Sequence, residues 1–267
     1  MQESDAAAHV CRRLAAAFGA VGSTRPLGGT VWLVEVGGRR LVAKVGPGCL
    51  DEAAGLRLLG TAPGAPPVPD VVLAKDDLLV TTAVDQSPRA ARHDESLGQS
   101  LARLHGVATA HWGGGSSWIG ACTVNPVVMA DGVAFYGSRL LDLAARCDLE
   151  HVVRPVVARL GELLPPGRPA LVHGDLWWGN VLFGTDGRAW LIDPSVHGGH
   201  PEEDLAMLAL FGTVPDRLLQ AYDEVHPLQA GWRERVGLFQ LVPLLVHAVL
   251  FGDSYRSRAE EVALRYA

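Results

Sequence analysis

Leu171-Val172-His173-Gly174-Asp175-Leu176-Trp177-Trp178-Gly179-Asn180, followed by Leu191-Ile192-Asp193-Pro194, is the stretch that decides how this chain is read. An aspartate, an asparagine five residues on and a second aspartate thirteen residues later stand between apolar runs. Asp175 follows Ala170-Leu171-Val172 into a loop with Gly174 and Gly179, where a carboxylate can reach a bound hydroxyl and take its proton. Asn180 offers a neutral oxygen and Asp193 a hard anionic one, the donors that magnesium prefers. Phosphoryl transfer from a nucleotide needs such a set: a base for the acceptor and a metal that neutralises the phosphates. Any one of these residues alone reads equally well as a turn former. Together, at this spacing, they point to Asp175 as base and Asn180 with Asp193 as ligands of Mg2+.

Upstream, Lys44 in Val42-Ala43-Lys44-Val45 alternates out of an apolar strand, which suits a cation aimed into a cleft. Glu52, on the next predicted helix, can pair with it and fix it against the phosphates of ATP. In isolation the two would read as a surface lysine and a solvated glutamate. Gly28-Gly29-Thr30 could present backbone N–H groups to phosphate, a weak motif by itself. A Walker A loop is absent, since Gly-Lys-Ser/Thr occurs nowhere. Thr81 to Ser87 is the candidate hinge, with Thr82 to Val84 offering backbone groups to the nucleotide base.

The texture of the chain changes around that hinge. The first ~20 residues read as a helix, and Val31–Val36 and Arg39–Val45 as strands joined by Gly37-Gly38. Asp51 is the expected N-cap of a helix from Glu52 to Leu59. Two more strands, Val71–Leu73 and Leu78–Thr82, follow a Pro-rich break. Gly113-Gly114-Gly115-Ser116-Ser117 reads as a flexible loop, and most of what remains carries helical periodicity. The expected class is α+β in two lobes: a small β-rich N-lobe over 1–84 that binds nucleotide, and a larger α-helical C-lobe over 85–267 that carries the catalytic loop and the acceptor.

Composition bounds the alternatives. With 48% hydrophobic and 19% charged residues the chain is globular, and a formal net charge of −6 argues against nucleic acid as a partner. The N-terminus has no signal-peptide core. The apolar run Leu238–Phe251 is shorter than the ~18–20 residues of a membrane span, so it is expected to be a buried helix. Four scattered cysteines suggest reduced thiols. A cytoplasmic protein without membrane contact, monomeric or weakly dimeric, is the expectation.

Taken together, these motifs resemble the fructosamine kinase (ketosamine-3-kinase) family, within the wider protein-kinase-like fold that includes aminoglycoside phosphotransferases and choline kinases. His173 to Asn180 matches its His-Gly-Asp-Leu-Trp-x-Gly-Asn, Asp193-Pro194 its Asp-Pro, and Gly199 to Met207 its Gly-His-x-Glu-x-Asp-Leu-Ala-Met. Glu52-Ala53-x-Gly55-Leu56, Leu97 to His105 and Trp118-Ile119-Gly120 are similarly family-like, so the resemblance runs over nearly the whole chain. It implies ATP- and Mg2+-dependent phosphorylation of the 3-hydroxyl of a ketosamine, free or protein-bound, after which the adduct releases its amine. Trp177 would wall the sugar site. His173 belongs to the same acceptor side and reads as a hydrogen-bonding organiser of the loop rather than a second base. Asp204 would accept backbone N–H groups of that loop.

Two departures bear on the acceptor. His197-Gly198 stands where the family usually has two aromatic residues, and the segment after Ile119-Gly120 lacks the usual Gln-Asn-Trp run. A glycine at 198 is expected to widen or loosen a pocket. A kinase of the same fold acting on another small hydroxylated amine, such as an aminoglycoside or amino alcohol, is the alternative. A catalytically silent nucleotide-binding scaffold is a third reading, disfavoured because Lys44, Glu52, Asp175, Asn180 and Asp193 are all present.

Overall fold

Alternating apolar residues build the first lobe. In the computed structural model, which describes residues 3–19 and 21–267, helix α1 (Glu3–Phe18) leads into strands β1 (Val21–Gly28), β2 (Val31–Val36) and β3 (Arg39–Val45). Helix α2 (Cys49–Thr61) and strands β4 (Val71–Lys75) and β5 (Leu78–Thr82) complete the lobe. The sheet order is β1-β2-β3-β5-β4, antiparallel throughout. Trp32, Val34, Leu41, Ala43, Leu78 and Val80 pack with Val10 and Leu14 of α1 on one face. Leu79 points the other way, onto Cys49, Ala53 and Leu56 of α2. The period of two therefore puts Lys44, the neighbour of Ala43, on the α2 side of the sheet.

Helix α2 does not begin as expected. Gly48, in a left-handed conformation at φ 81°, is its N-cap and makes no side-chain cap. The glycine-flanked turn starts the helix ahead of Asp51, which leaves that carboxylate free for another partner. It accepts the Ser117 N–H at 2.9 Å, a bond between the two lobes.

The second lobe comprises α3 (Ala91–His105), the short strands β6 (Trp112–Gly113), β7 (Trp118–Ile119), β8 (Cys122–Thr123) and β9 (Val128–Met129), then α4 (Gly132–Arg146) and α5 (Glu150–Leu163). Strands β10 (Ala170–Val172), β11 (Val181–Phe183), β12 (Ala189–Leu191) and β13 (His197–Gly199) precede α6 (Glu202–Leu210), α7 (Asp216–Asp223), α8 (Trp232–Phe251) and α9 (Asp253–Leu264). Leu238, Leu241, Leu244 and Leu245 of α8 centre the largest core, against α4, α5, α6 and α9. At 20 residues α8 is longer than its apolar run, because a polar turn from Trp232 begins it. It is long and apolar enough to cross a membrane, yet half of its most apolar window is buried inside the protein.

The Gly113–Ser117 segment is clamped rather than loose. Ser116 N–H donates to Val196 O at 3.0 Å and Gly114 N–H to Val127 O at 2.8 Å. A Cβ at Gly115 would lie 1.8 Å from Val196 O, and one at Gly113 2.0 Å from Val127 O. These glycines permit close backbone contact, which run composition alone mistook for flexibility. Between the lobes, Leu191 N–H donates to Pro67 O at 2.9 Å.

Glycine spacing also sets helix packing. A Cβ at Gly98 on α3 would lie 2.3 Å from Leu218 O of α7, whereas Gly161 on α5 has nothing within 4 Å. Gly98→Ala is expected to destabilise the fold by about 1–3 kcal/mol through overpacking. Gly161→Ala should be neutral or stabilising by up to about 1 kcal/mol from helix propensity. Urea midpoints of the two variants measure both.

Candidate active site

The catalytic loop is shaped from beneath. Asp204, 1% exposed in α6, accepts the N–H groups of His173 at 2.8 Å and Gly174 at 2.9 Å. Its Oδ2 also meets His105 Nε2 at 3.1 Å, and His105 Nδ1 meets Tyr222 Oη at 2.7 Å. Assigned from these partners, His105 donates through Nε2 and accepts from the tyrosine. Burial works against ionising Asp204, but the bonds from His105 and the backbone outweigh it and hold the carboxyl below its usual range.

His173 is fully buried, its Nδ1 accepting the Asp175 N–H at 3.3 Å and its Nε2 donating to Ile192 O at 3.0 Å. Burial pulls its pKa down, in keeping with a neutral ring. Both nitrogens are committed to backbone, so His173 is not placed to touch an acceptor, and its inclusion among the substrate-side residues is corrected. A neighbour in sequence to a base need not share its solvent face.

Asp175 and Asn180 come together at the end of β10. The Asn180 side-chain amide donates to the Asp175 carbonyl at 2.8 Å and to its Oδ2 at 3.3 Å, which leaves Asn180 Oδ1 for another partner. Asp193 leaves β12 with φ 53°, unusual for a residue with a side chain. Its Oδ1 lies 3.0 Å from Lys44 Nζ, and Glu52 Oε2 lies 2.7 Å from the same nitrogen. Helix α2 rests on the strand leaving this turn: a Cβ at Gly55, one helical turn from Glu52, would lie 3.1 Å from Pro194 Cγ and Val196 Cγ2.

Charge is distributed unevenly among these groups. Burial, then the charge of Asp193, push the Asp175 carboxyl up to about 7, against the Asn180 bond. Burial and Asp193 also raise Glu52, with Lys44 opposing. Burial would raise Asp193 as well, but Lys44 and the bonds around it hold it low. Lys44 resists its own burial through Asp193 and Glu52, so its pKa is raised and it stays cationic.

Thr30, Lys44, Glu52, Asp175, Asn180 and Asp193 line one cavity of about 400 Å3, with Trp118 and Trp177 among its walls. Trp177 is 40% exposed. Gly28 and Gly29 stay in the exposed β1–β2 turn and do not line this space. Nor do Thr82 and Val84. Thr82 pairs with Leu41, three residues along β3 from Lys44, and its N–H and Oγ1 are both bonded to Asp70. A second groove of about 440 Å3 runs behind α2 along the Pro-rich segment. It lacks any paired base and cation, so the chemistry belongs to the first.

The donor set suits a magnesium ion. Among the described residues no three His, Cys, Asp or Glu side chains converge on a metal position. Asn180 and Asp193 supply two oxygens, and magnesium commonly takes one or two protein oxygens and completes its shell with phosphate and water. The 198 position is also corrected. A Cβ at Gly198 would lie 2.1 Å from His111 O, so this glycine admits a neighbouring backbone and widens nothing. Sequence reasoning missed Arg139 and Glu203, which reach the acceptor side from α4 and α6 beside His197. No sequence signal separated Glu203 from its neighbour Glu202, which pairs with Arg235 instead.

The raised carboxyl of Asp175 carries a stability cost. The unfolded chain ionises it near 3.8 and the folded protein near 7, so stability falls as pH rises between these values and the penalty is complete above them. Asp175→Asn is therefore expected to raise the thermal midpoint of the metal-free protein at pH 8 and to leave it unchanged below pH 4. Thermal scans at the two pH values check this.

Comparisons with known proteins agree with this geometry. Residues 49–266 match the sequence model of the fructosamine kinase family. The probable ketoamine kinase of Lactiplantibacillus plantarum is 32% identical over 228 residues, 80% of each chain. That of Thermus thermophilus is 33% identical over 207 residues, covering 76% of this chain and 77% of the relative. A crystal structure of a fructosamine-3-kinase candidate from Thermobifida fusca is 36% identical, with a TM-score of 0.87 over 96% of this chain and 98% of that one. The fold is shared more widely: a macrolide 2'-phosphotransferase from Brachybacterium faecium superposes with a TM-score of 0.65 at 20% identity, over 97% of this chain and 98% of that one. A protein-kinase-like fold, a cavity that gathers a lysine, three carboxylates and an asparagine, and a family match over most of its length make this chain an ATP-dependent small-molecule kinase that belongs to the fructosamine kinase family.

Proposed function

We propose that the protein transfers the γ-phosphoryl group of ATP to the 3-hydroxyl of ketosamines, the adducts of ribulose, erythrulose or fructose type on an amine. The observation that carries this is the convergence of Lys44, Glu52, Asp175, Asn180 and Asp193 on one cavity in a chain of this family. Lys44, fixed by Glu52, faces the nucleotide phosphates, and Thr30 borders them. Asn180 Oδ1 and the Asp193 carboxylate are the ligands offered to Mg2+, which neutralises the phosphates when bound. Asp175 orients the acceptor hydroxyl and takes its proton. A bond forms from the acceptor oxygen to the γ-phosphorus while the bond to the β,γ-bridging oxygen breaks, and ADP leaves. The 3-phosphate then leaves as inorganic phosphate by elimination, and water hydrolyses the resulting imine of the deoxydicarbonyl sugar, which frees the amine.

Trp177 offers a flat apolar face at the opening, where an amine substituent of any size, including a protein, can extend outward. The N-lobe ends at 84 and the C-lobe begins at 85. A formal charge of −6 favours a small-molecule or protein-bound acceptor over nucleic acid, and the chain is read as a cytoplasmic monomer or weak dimer without membrane contact.

Incubation with Mg2+ and ATP should phosphorylate ribulosyl-, erythrulosyl- or fructosyl-lysine in preference to an aminoglycoside. Phosphate appearing only on the aminoglycoside would replace this reading with the amine-kinase alternative. Asp175→Asn should lower turnover by about 10²–10⁴-fold while calorimetry still detects nucleotide binding. Unchanged turnover in that variant removes Asp175 as the base.

A further inference from the structure

A second constellation lies on the inner side of Asp175. Arg139, His197 and Glu203 are 9%, 5% and 10% exposed at their side chains, and the transfer chemistry uses none of them. Arg139 Nη1 lies 2.9 Å from His197 Nε2 and 3.8 Å from Glu203 Oε2. The other oxygen of Glu203 accepts from the Tyr136 hydroxyl and, at 2.6 Å, from the His200 N–H. His197 is anchored in turn by Nδ1, 2.9 Å from Ser195 O. The guanidinium is thus held from one end. Among the described residues its Nε and Nη2 meet no protein acceptor, yet neither is a sealed, unpartnered donor. They open on space.

Arg139 lines a small cavity of about 20 Å3 with Glu203 and Asp175, walled by Met207, Phe239 and Val242, and a second of about 10 Å3 with His197, Phe135 and Asn125. A water-sized group needs at least roughly 10–15 Å3, so one hydroxyl fits the first. Asp175 lines that first cavity and the larger cleft, so an acceptor hydroxyl at its carboxylate has one end of the molecule on each side. The amine end carries a substituent of arbitrary size and must face the open side, past Trp177. The sugar tail beyond the 3-hydroxyl is finite and hydroxylated, and it is the end that suits the smaller side. A hydroxyl buried there without a partner would be disfavoured; the spare donors of Arg139 provide one.

We propose that Arg139, oriented by Glu203 and His197, binds the terminal hydroxyl of the acceptor's sugar tail and so sets which sugar length is phosphorylated. The assignment rests on the ketosamine reading above. It gives the departure at His197 a purpose: an imidazole on β13 holds the arginine that meets the sugar.

The test is kcat/KM on erythrulosyl-, ribulosyl- and fructosyl-lysine for the wild type, Arg139→Met, Arg139→Lys and Glu203→Gln. Loss of a charged hydrogen bond is expected to cost Arg139→Met about 10- to 100-fold on the sugar whose tail reaches the guanidinium, with a smaller loss on the tetrose adduct. Glu203→Gln should shift the same length ratio through KM. Nucleotide-induced thermal stabilisation reports folding; if Arg139→Met lacks it, Arg139→Lys and Glu203→Gln carry the comparison. An equal loss on all three acceptors marks a structural role and overturns the assignment, as does an unchanged ratio in the folded variants. A wild type that phosphorylates no ketosamine overturns the parent reading instead, and is recognised without any variant.

Discussion

The buried carboxylate of Asp204 is the constraint on which the site depends. A carboxylate so fully removed from water is tolerated only when its oxygens are filled. Here two backbone N–H groups of the catalytic loop and one imidazole fill them. The loop has no freedom to offer those groups except in one shape, and that shape puts Asp175 at the cleft and His173 behind it. Because His105 and Tyr222 belong to α3 and α7, the packing of these helices fixes the loop as well. Gly98, where those helices touch, is part of the same arrangement.

The N-lobe is joined to this platform by a few polar contacts. Lys44 bonds to Glu52 within its own lobe and to Asp193 across the cleft. Both contacts involve partly buried groups, so they are less screened than surface pairs. Gly55 brings α2 onto the Asp193-Pro194 turn, so the cation, its partner and the Asp193 carboxylate are held in contact.

Much of this was legible in the sequence, for physical reasons. Strands β2 and β3 follow the alternation of Trp32, Val34, Leu41 and Ala43, and Gly37-Gly38 marks their hairpin because both residues need positive φ. Asp175, Asn180 and Asp193, singled out by their spacing, line one cavity with Lys44 and Glu52. What sequence concealed was partner choice. Asp51 looked like a cap, but the left-handed Gly48 starts the helix first and releases it to Ser117. His173 looked like part of the acceptor side, yet its orientation depends on Ile192, a contact that local spacing does not encode. Gly113 to Gly115 and Gly198 looked permissive because composition cannot separate a glycine that moves from one that is pressed against a carbonyl. The partnership of Arg139 with Glu203 joins residues on different helices, and neither motif announces the other.

The clamped segment around Ser117 has a consequence for nucleotide recognition. Asp51 holds Ser117 from the N-lobe, the Ser195 hydroxyl donates to Trp118 O at 2.6 Å from the C-lobe, and a Cβ on Gly48 would lie 3.2 Å from the Trp118 indole. This segment is a strut that sets the width of the cleft before anything enters it. Preorganisation of that kind reduces the ordering that accompanies binding. The gap between the lobes is thus braced from both sides by one short segment.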